Sequence, residues 1–175
     1  MKTKVIQLGL IGVVMLLLLS GCKTVKGGGW IKSLSKEGKA TFGIDLTCKN
    51  SQHYGGFTYH DHGYKKMVDG KMHHLSIVGW VDPNPQLSGL SCSEQGKFLA
   101  GGQYLENHTQ YRFIYRPRPN KSGTEGDGII DFWDANLTGT PDDNDRLCIQ
   151  IYSGPFENYQ NCGDLGGGNI TIYDE

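Results

Sequence analysis

The chain has 175 residues, enough for one domain of ordinary size. Its 17 Lys and Arg are nearly balanced by 18 Asp and Glu, which argues against a nucleic-acid binder held by a basic face. Hydrophobic residues make up 37%, with 9 Tyr and 6 Phe, so the composition is not that of a disordered chain; the 26 Gly follow no period of three, which excludes collagen.

The chain opens on Met1-Lys2-Thr3-Lys4, a short basic start, followed by a nearly unbroken apolar run from Val5 to Leu19. That run is shorter than the roughly 20 residues a membrane span needs and fits the apolar region of a secretory signal. Leu19-Ser20-Gly21-Cys22 then resembles the lipobox of bacterial lipoprotein precursors: an apolar residue, two small residues that fit a peptidase cleft, and a thiol that takes up diacylglycerol. The resemblance implies cleavage before Cys22 and lipidation of Cys22. Residues 1–21 are then the signal peptide, 22–26 the lipidated Cys with a short tether, and 27–175 the folded domain. Loss of Lys2 and Lys4 leaves 15 basic against 18 acidic residues. By the same resemblance, Lys23 rather than Asp after the Cys permits export to the outer membrane. Several acyl chains on one residue anchor durably, since each buried methylene contributes about 0.8 kcal/mol.

Four further cysteines, Cys48, Cys92, Cys148 and Cys162, form an even set in an exported domain and favour disulfides, with three connectivities open. Cys148 and Cys162 bracket one predicted hairpin and are the preferred pair, leaving Cys48 with Cys92. The first bridge closes a loop of about 15 residues and contributes about 3 kcal/mol in the chain-entropy account. The absence of any C-x-x-C spacing argues against a zinc site made of these thiols.

No strong amphipathic helix occurs; period-two alternation recurs instead. Ala40, Phe42, Ile44, Leu46 and Cys48 fall on one face of a strand. Further strands are expected at Gly56–His60, Lys71–Val78, Lys97–Leu105, Tyr111–Arg116, Gly128–Asp134, Leu147–Ile151 and Ile170–Tyr173. Asp69-Gly70, Asp82-Pro83-Asn84-Pro85 and Ser153-Gly154-Pro155 supply turn chemistry between them. Eight or nine short strands predict an all-β fold, an antiparallel β-sandwich first and a closed barrel second.

Gly27-Gly28-Gly29-Trp30-Ile31 and Gly38-Lys39-Ala40-Thr41-Phe42-Gly43 near the start are matched by Leu165-Gly166-Gly167-Gly168-Asn169-Ile170 near the end. Gly55-Gly56-Phe57-Thr58-Tyr59-His60-Asp61-His62 and Asp145-Arg146-Leu147-Cys148-Ile149-Gln150-Ile151 lie between them. This order resembles the post-COAP domain, a module of secreted and surface-attached bacterial proteins, over Gly27 to Tyr173. The resemblance implies a surface location and supplies no catalytic residues to carry over. The chain departs from it at Asp134–Asp145, where the family's usual turn is absent, so no ligand property of that turn carries over. The mirrored glycine triplets place the first and last strands side by side.

Asp127-Gly128-Ile129-Ile130-Asp131-Phe132-Trp133-Asp134 matches the back half of a calcium loop, making Asp127, Asp131 and Asp134 candidate calcium ligands. Gly123 stands at the first ligand position, however, and a strand over Ile129–Trp133 would keep the loop open; a solvated turn leading into a strand is the competing reading. A second acidic turn holds Asp142, Asp143 and Asp145. His60, His62 and His74 are candidate zinc ligands if their strands pair, against the competing reading of surface or hydrogen-bonded histidines. No Gly-x-Ser-x-Gly, phosphate-loop or dinucleotide motif occurs. The expectation is therefore a lipid-anchored, non-catalytic envelope module without a cofactor. Its partners would be the membrane, through the N-terminal lipid, and an envelope protein or glycan, with no nucleic acid. A metal-dependent hydrolase at the histidines and an inhibitor of a cell-wall lytic enzyme are the alternatives.

Overall fold

The computed structural model describes residues 23–49, 52–82, 108–118, 124–135 and 145–174. Residues 1–21, expected as a signal peptide, Cys22, Cys92, the strand expected over Lys97–Leu105, and Asp142 and Asp143 lie outside the described residues, as does the side chain of Cys48. Among the described residues there are nine strands: β1 (Lys23–Lys32), β2 (Lys39–Lys49), β3 (Gln52–Val68), β4 (Lys71–Val81), β5 (His108–Pro117), β6 (Gly126–Trp133), β7 (Arg146–Ile151), β8 (Gln160–Asp164) and β9 (Gly167–Asp174). All neighbours pair antiparallel in one sheet of order β8-β7-β6-β5-β4-β3-β2-β1-β9.

Among the described residues the two facing sheets of a sandwich are not seen. Consecutive strands from β1 to β8 hydrogen-bond to one another, so no strand switches sheets, and the single sheet curls into a half-barrel under its own twist. β9 alone breaks the sequential order and pairs with β1, as the mirrored glycines suggested. Lys23 to Lys26, expected as a tether, are the first four residues of β1.

The concave face holds one core. Period two sends Leu75 and Ile77 of β4, Tyr111, Phe113 and Tyr115 of β5, Ile130 and Phe132 of β6, and Leu147, Ile149 and Ile151 of β7 into it, all nearly inaccessible to solvent. Rings in this core lie over glycines of the neighbouring strand. Phe57 covers Gly79, Phe113 covers Gly128 and Tyr115 covers Gly126, so that a methyl group at any of the three would collide with the ring. Phe57 and Phe113 meet edge to face with centroids 4.8 Å apart.

Glycine is required where β1 and β9 meet. Gly168 has φ 108°, and a Cβ there would lie 2.2 Å from the carbonyl oxygen of Gly28. The open edge of β9 is covered by carboxylates. Asp145, fully buried, accepts from the amides of Ile170 (2.7 Å) and Ala135 (3.1 Å), and Asp134 accepts from the amide of Ile172 (2.9 Å). Leu165 N–H donates to the Asp145 carbonyl at 2.7 Å and Gly166 N–H to the Trp30 carbonyl at 2.9 Å, carrying the chain across the gap between the two ends of the sheet. Cys148 and Cys162 face each other across β7 and β8 and are disulfide-bonded, which is the preferred pairing.

Two variants test this closure. Asp145→Ala leaves buried amides without acceptors and is expected to cost about 2–4 kcal/mol in denaturant unfolding. Gly168→Ala forces a side chain into positive φ and a backbone contact, and is expected to cost more than about 1 kcal/mol in the same measurement.

Candidate functional site

Asp61 is the one carboxylate that period two places on the inward face of β3, in line with Phe57 and Tyr59. A buried ion is tolerated only with a full set of donors. Five groups supply them. The Ser33 hydroxyl donates through a short bond, the amides of Gly63 (3.0 Å) and Tyr64 (3.1 Å) reach the same oxygen, and the Leu34 amide (3.2 Å) and Tyr159 hydroxyl (2.7 Å) reach the other. The Gly63 and Tyr64 amides are available because the β3–β4 register shifts between Asp61 and Lys65, and the bulge turns them inward.

An ionised carboxylate only accepts, so the Tyr159 proton points to Asp61. Tyr59 must then donate to Tyr159 at 2.8 Å, and Asn161 Nδ2 donates to the Tyr59 oxygen at 3.1 Å and to the Lys32 carbonyl at 3.0 Å. The relay runs Asn161, Tyr59, Tyr159, Asp61 and joins β1, β3, β8 and the turn before β8. Burial opposes ionisation of Asp61, but the bonds from Ser33, Tyr159, Leu34 and Gly63 outweigh it and hold the carboxyl below its usual range. Burial first, and then Tyr59 and Asp61, push the Tyr159 phenol far up.

The same bonds fix the β1–β2 turn, Ser33–Gly38. Ser33 and Leu34 are tied to Asp61, the Ser35 amide bonds to Ser33 Oγ at 3.3 Å, and Lys36 is held at φ 63°. Against this turn opens a groove of about 690 Å³, lined by Trp30, Lys32, Leu34, Lys36, Lys39 and Asn161 among others. Lys39 Nζ stands 3.9 Å over the Trp30 ring, whose indole also abuts Gly166 and Gly167.

The residues singled out from the sequence divide between two places. His60, His62 and His74 come together on the convex face, with ring centroids 4.1 Å apart for His60 and His62 and 6.3 Å for His60 and His74. Their rings pack against one another, and among the described residues no three His, Cys, Asp or Glu side chains form a metal-holding group. Burial, then repulsion from His62 and His74, pulls the His60 pKa below its usual value.

Asp127, Asp131 and Asp134 do not converge. Gly126–Trp133 is a strand, so Asp127 and Asp131 lie about 13 Å apart along one face and Asp134 turns to the other. Each has a different task. Asp127 accepts from Arg112 (2.9 Å) and, through a short bond, from Ser153; Asp131 bonds His108 (3.0 Å) and Gln110 (2.7 Å); Asp134 holds β9. His108 is buried, stacks on Trp133 with centroids 4.4 Å apart, and its Nδ1 has no hydrogen-bond partner among the described residues.

The Asp61 network escaped sequence reasoning, although one signal was present: a carboxylate at an inward register position between two histidines. No family model matches the chain, and no curated protein and no solved structure is significantly similar to it.

Asp61→Asn is expected to destabilise the fold by about 2–3 kcal/mol, the scale of bonds to a buried charged group. Because the folded state holds the Asp61 carboxyl below its ordinary value of 3.8, the unfolded state takes up the proton first. That contribution is complete above the ordinary value and is lost as pH falls through the lower folded one. Unfolding midpoints measured from about pH 6 to pH 3 are expected to fall less steeply for Asp61→Asn than for the parent chain. In an NMR titration, His60 is expected to protonate at lower pH than a histidine in a short peptide.

Proposed function

We propose that this chain is a lipid-anchored, non-catalytic binding module of a bacterial envelope. The observation that carries the reading is the position of β1. It begins at Lys23, one residue after the lipobox cysteine, and pairs along its length with β2 on one side and β9 on the other. An acyl group on Cys22 would join the sheet with almost no intervening chain, holding that end of the half-barrel against the bilayer. Nine steps along β1, about 30 Å at strand rise, lead to the opposite end, where the groove opens.

Two further features favour binding over catalysis. The carboxylates at Asp61, Asp134 and Asp145 are taken up by backbone amides and hydroxyls that hold the sheet. The groove instead presents cations and an indole on a fixed turn, which suits recognition more than proton transfer. The resemblance to post-COAP modules agrees with a surface role.

Mass spectrometry of the chain produced in a bacterial host tests the anchor. The mature N-terminus is expected at Cys22 carrying a diacylglyceryl group, and Cys22→Ser is expected to stop processing and acylation. A chain cut at another bond, or found free in the medium with an unmodified Cys22, would overturn the reading.

A further inference from the structure

We infer that the groove at the β1–β2 turn is a binding site for an anionic oligosaccharide. This deepens the binding-module reading and rests on it for one point only, the distance of the groove from the anchored end.

Charge is the first argument. Lys32, Lys36 and Lys39 are exposed, and no ion pair engages them among the described residues, whereas Arg112, Arg116 and Arg146 each have a carboxylate partner. Among the described residues no acidic side chain lines the groove, and the one acid of the turn, Glu37, is exposed outside the lining, against three lysines within it. Lys65, Lys66 and Lys71 lie towards the same end of the sheet on the β3–β4 hairpin, which runs past the level of Ile31. A ligand here is negatively charged.

Asn161 narrows the class. It is more than nine-tenths buried and lines the groove. Both hydrogens of its amide are used, one on the Lys32 carbonyl and one on Tyr59, which leaves Oδ1 as an acceptor with no partner among the described residues. A carbonyl oxygen repels a bare polyphosphate or carboxylate but accepts from a hydroxyl. Cations beside a fixed acceptor call for a ligand with both anionic groups and hydroxyls. Leu34, 44% exposed on the rim, offers apolar surface to the C–H face of a sugar ring.

The site is also preorganised. Asp61 fixes the turn that carries Leu34 and Lys36, Tyr59 fixes Asn161, and Trp30 holds the Lys39 ammonium in place, so binding orders few side chains. The volume falls within the roughly 300–1,000 Å³ of small-ligand sites. The groove is about 30 Å along β1 from Lys23, beyond the headgroups of a bilayer that holds Cys22, so a polymer above the membrane reaches it more readily than the chain's own lipid surface.

NMR titration of the purified full chain in neutral detergent micelles tests this. The probes are a galacturonate tetramer and a soluble muropeptide dimer, with cellotetraose, inorganic phosphate and phosphatidylglycerol vesicles as comparisons. At least one acidic sugar is expected to shift the Trp30 indole and Asn161 amide signals with sub-millimolar affinity. That affinity should be at least tenfold tighter than for cellotetraose and should weaken with added salt. Lys36→Gly, which suits the positive φ, combined with Lys39→Ala is expected to weaken it at least tenfold while leaving the unfolding midpoint nearly unchanged. Equal affinity for neutral and acidic sugars, no acidic sugar binding below millimolar concentration, or a response to the vesicles or phosphate alone would overturn the assignment. The groove does not include Cys22, so an unmodified Cys22 would defeat the anchor reading and leave this titration as informative as before.

Discussion

A single buried carboxylate accepting five hydrogen bonds organises one end of this half-barrel. Asp61 sits where the core pattern calls for an apolar side chain, and the chain has bent around it. The β3 bulge turns two amides inward, the β1–β2 turn contributes an amide and a hydroxyl, and the segment before β8 contributes Tyr159. The donors come in two adjacent pairs, Gly63 with Tyr64 and Ser33 with Leu34, plus Tyr159, so the ion ties the β3 bulge to the β1–β2 turn and to the segment before β8, which strand pairing does not join to β3. Buried charges of this kind are poor sources of net stability and good sources of uniqueness, because losing any donor leaves part of the charge uncompensated.

The other end of the problem is the sheet's edges. A nine-stranded antiparallel sheet that curls without closing leaves rows of amides exposed to any passing strand. Here the carboxylates of Asp134 and Asp145 occupy two of them on β9, and the short link from β8 to β9 crosses the gap. Both aspartates belong to acidic stretches that looked like cation loops. Backbone N–H groups and metal ions ask for the same thing, a concentration of oxygen acceptors, and composition alone does not distinguish them.

Much of the strand pattern was legible from period-two alternation, because the inward positions of β2, β4, β5, β6 and β7 carry large apolar side chains. The β1–β9 pairing followed from the mirrored glycines, whose missing Cβ atoms let the two backbones approach. β8 was not legible as a strand. Gln160-Asn161-Cys162-Gly163-Asp164 has no apolar alternation, since its inward Asn161 serves the tyrosine relay instead of the core, and only the disulfide hinted at it. The single curled sheet was not legible either. Strand number and spacing are the same for a sandwich and a curled meander, and the difference lies in which strands pair. The histidine cluster was visible in the sequence because two adjacent strands carry it; the Asp61 network and the lysine groove draw on β1, β2, β3 and β8, and their assembly appears only in three dimensions.

Amide hydrogen exchange measures the central constraint directly. If Asp61 holds the end of the sheet together, the amides of Leu34, Gly63 and Tyr64, none of which has a regular ladder partner, exchange as slowly as core amides such as those of Ile77 and Phe113. They then become exchangeable only when the sheet opens as a unit. Exchange of those three amides on the timescale of an exposed loop, with the core amides still protected, would show that the carboxylate does not organise this end of the fold.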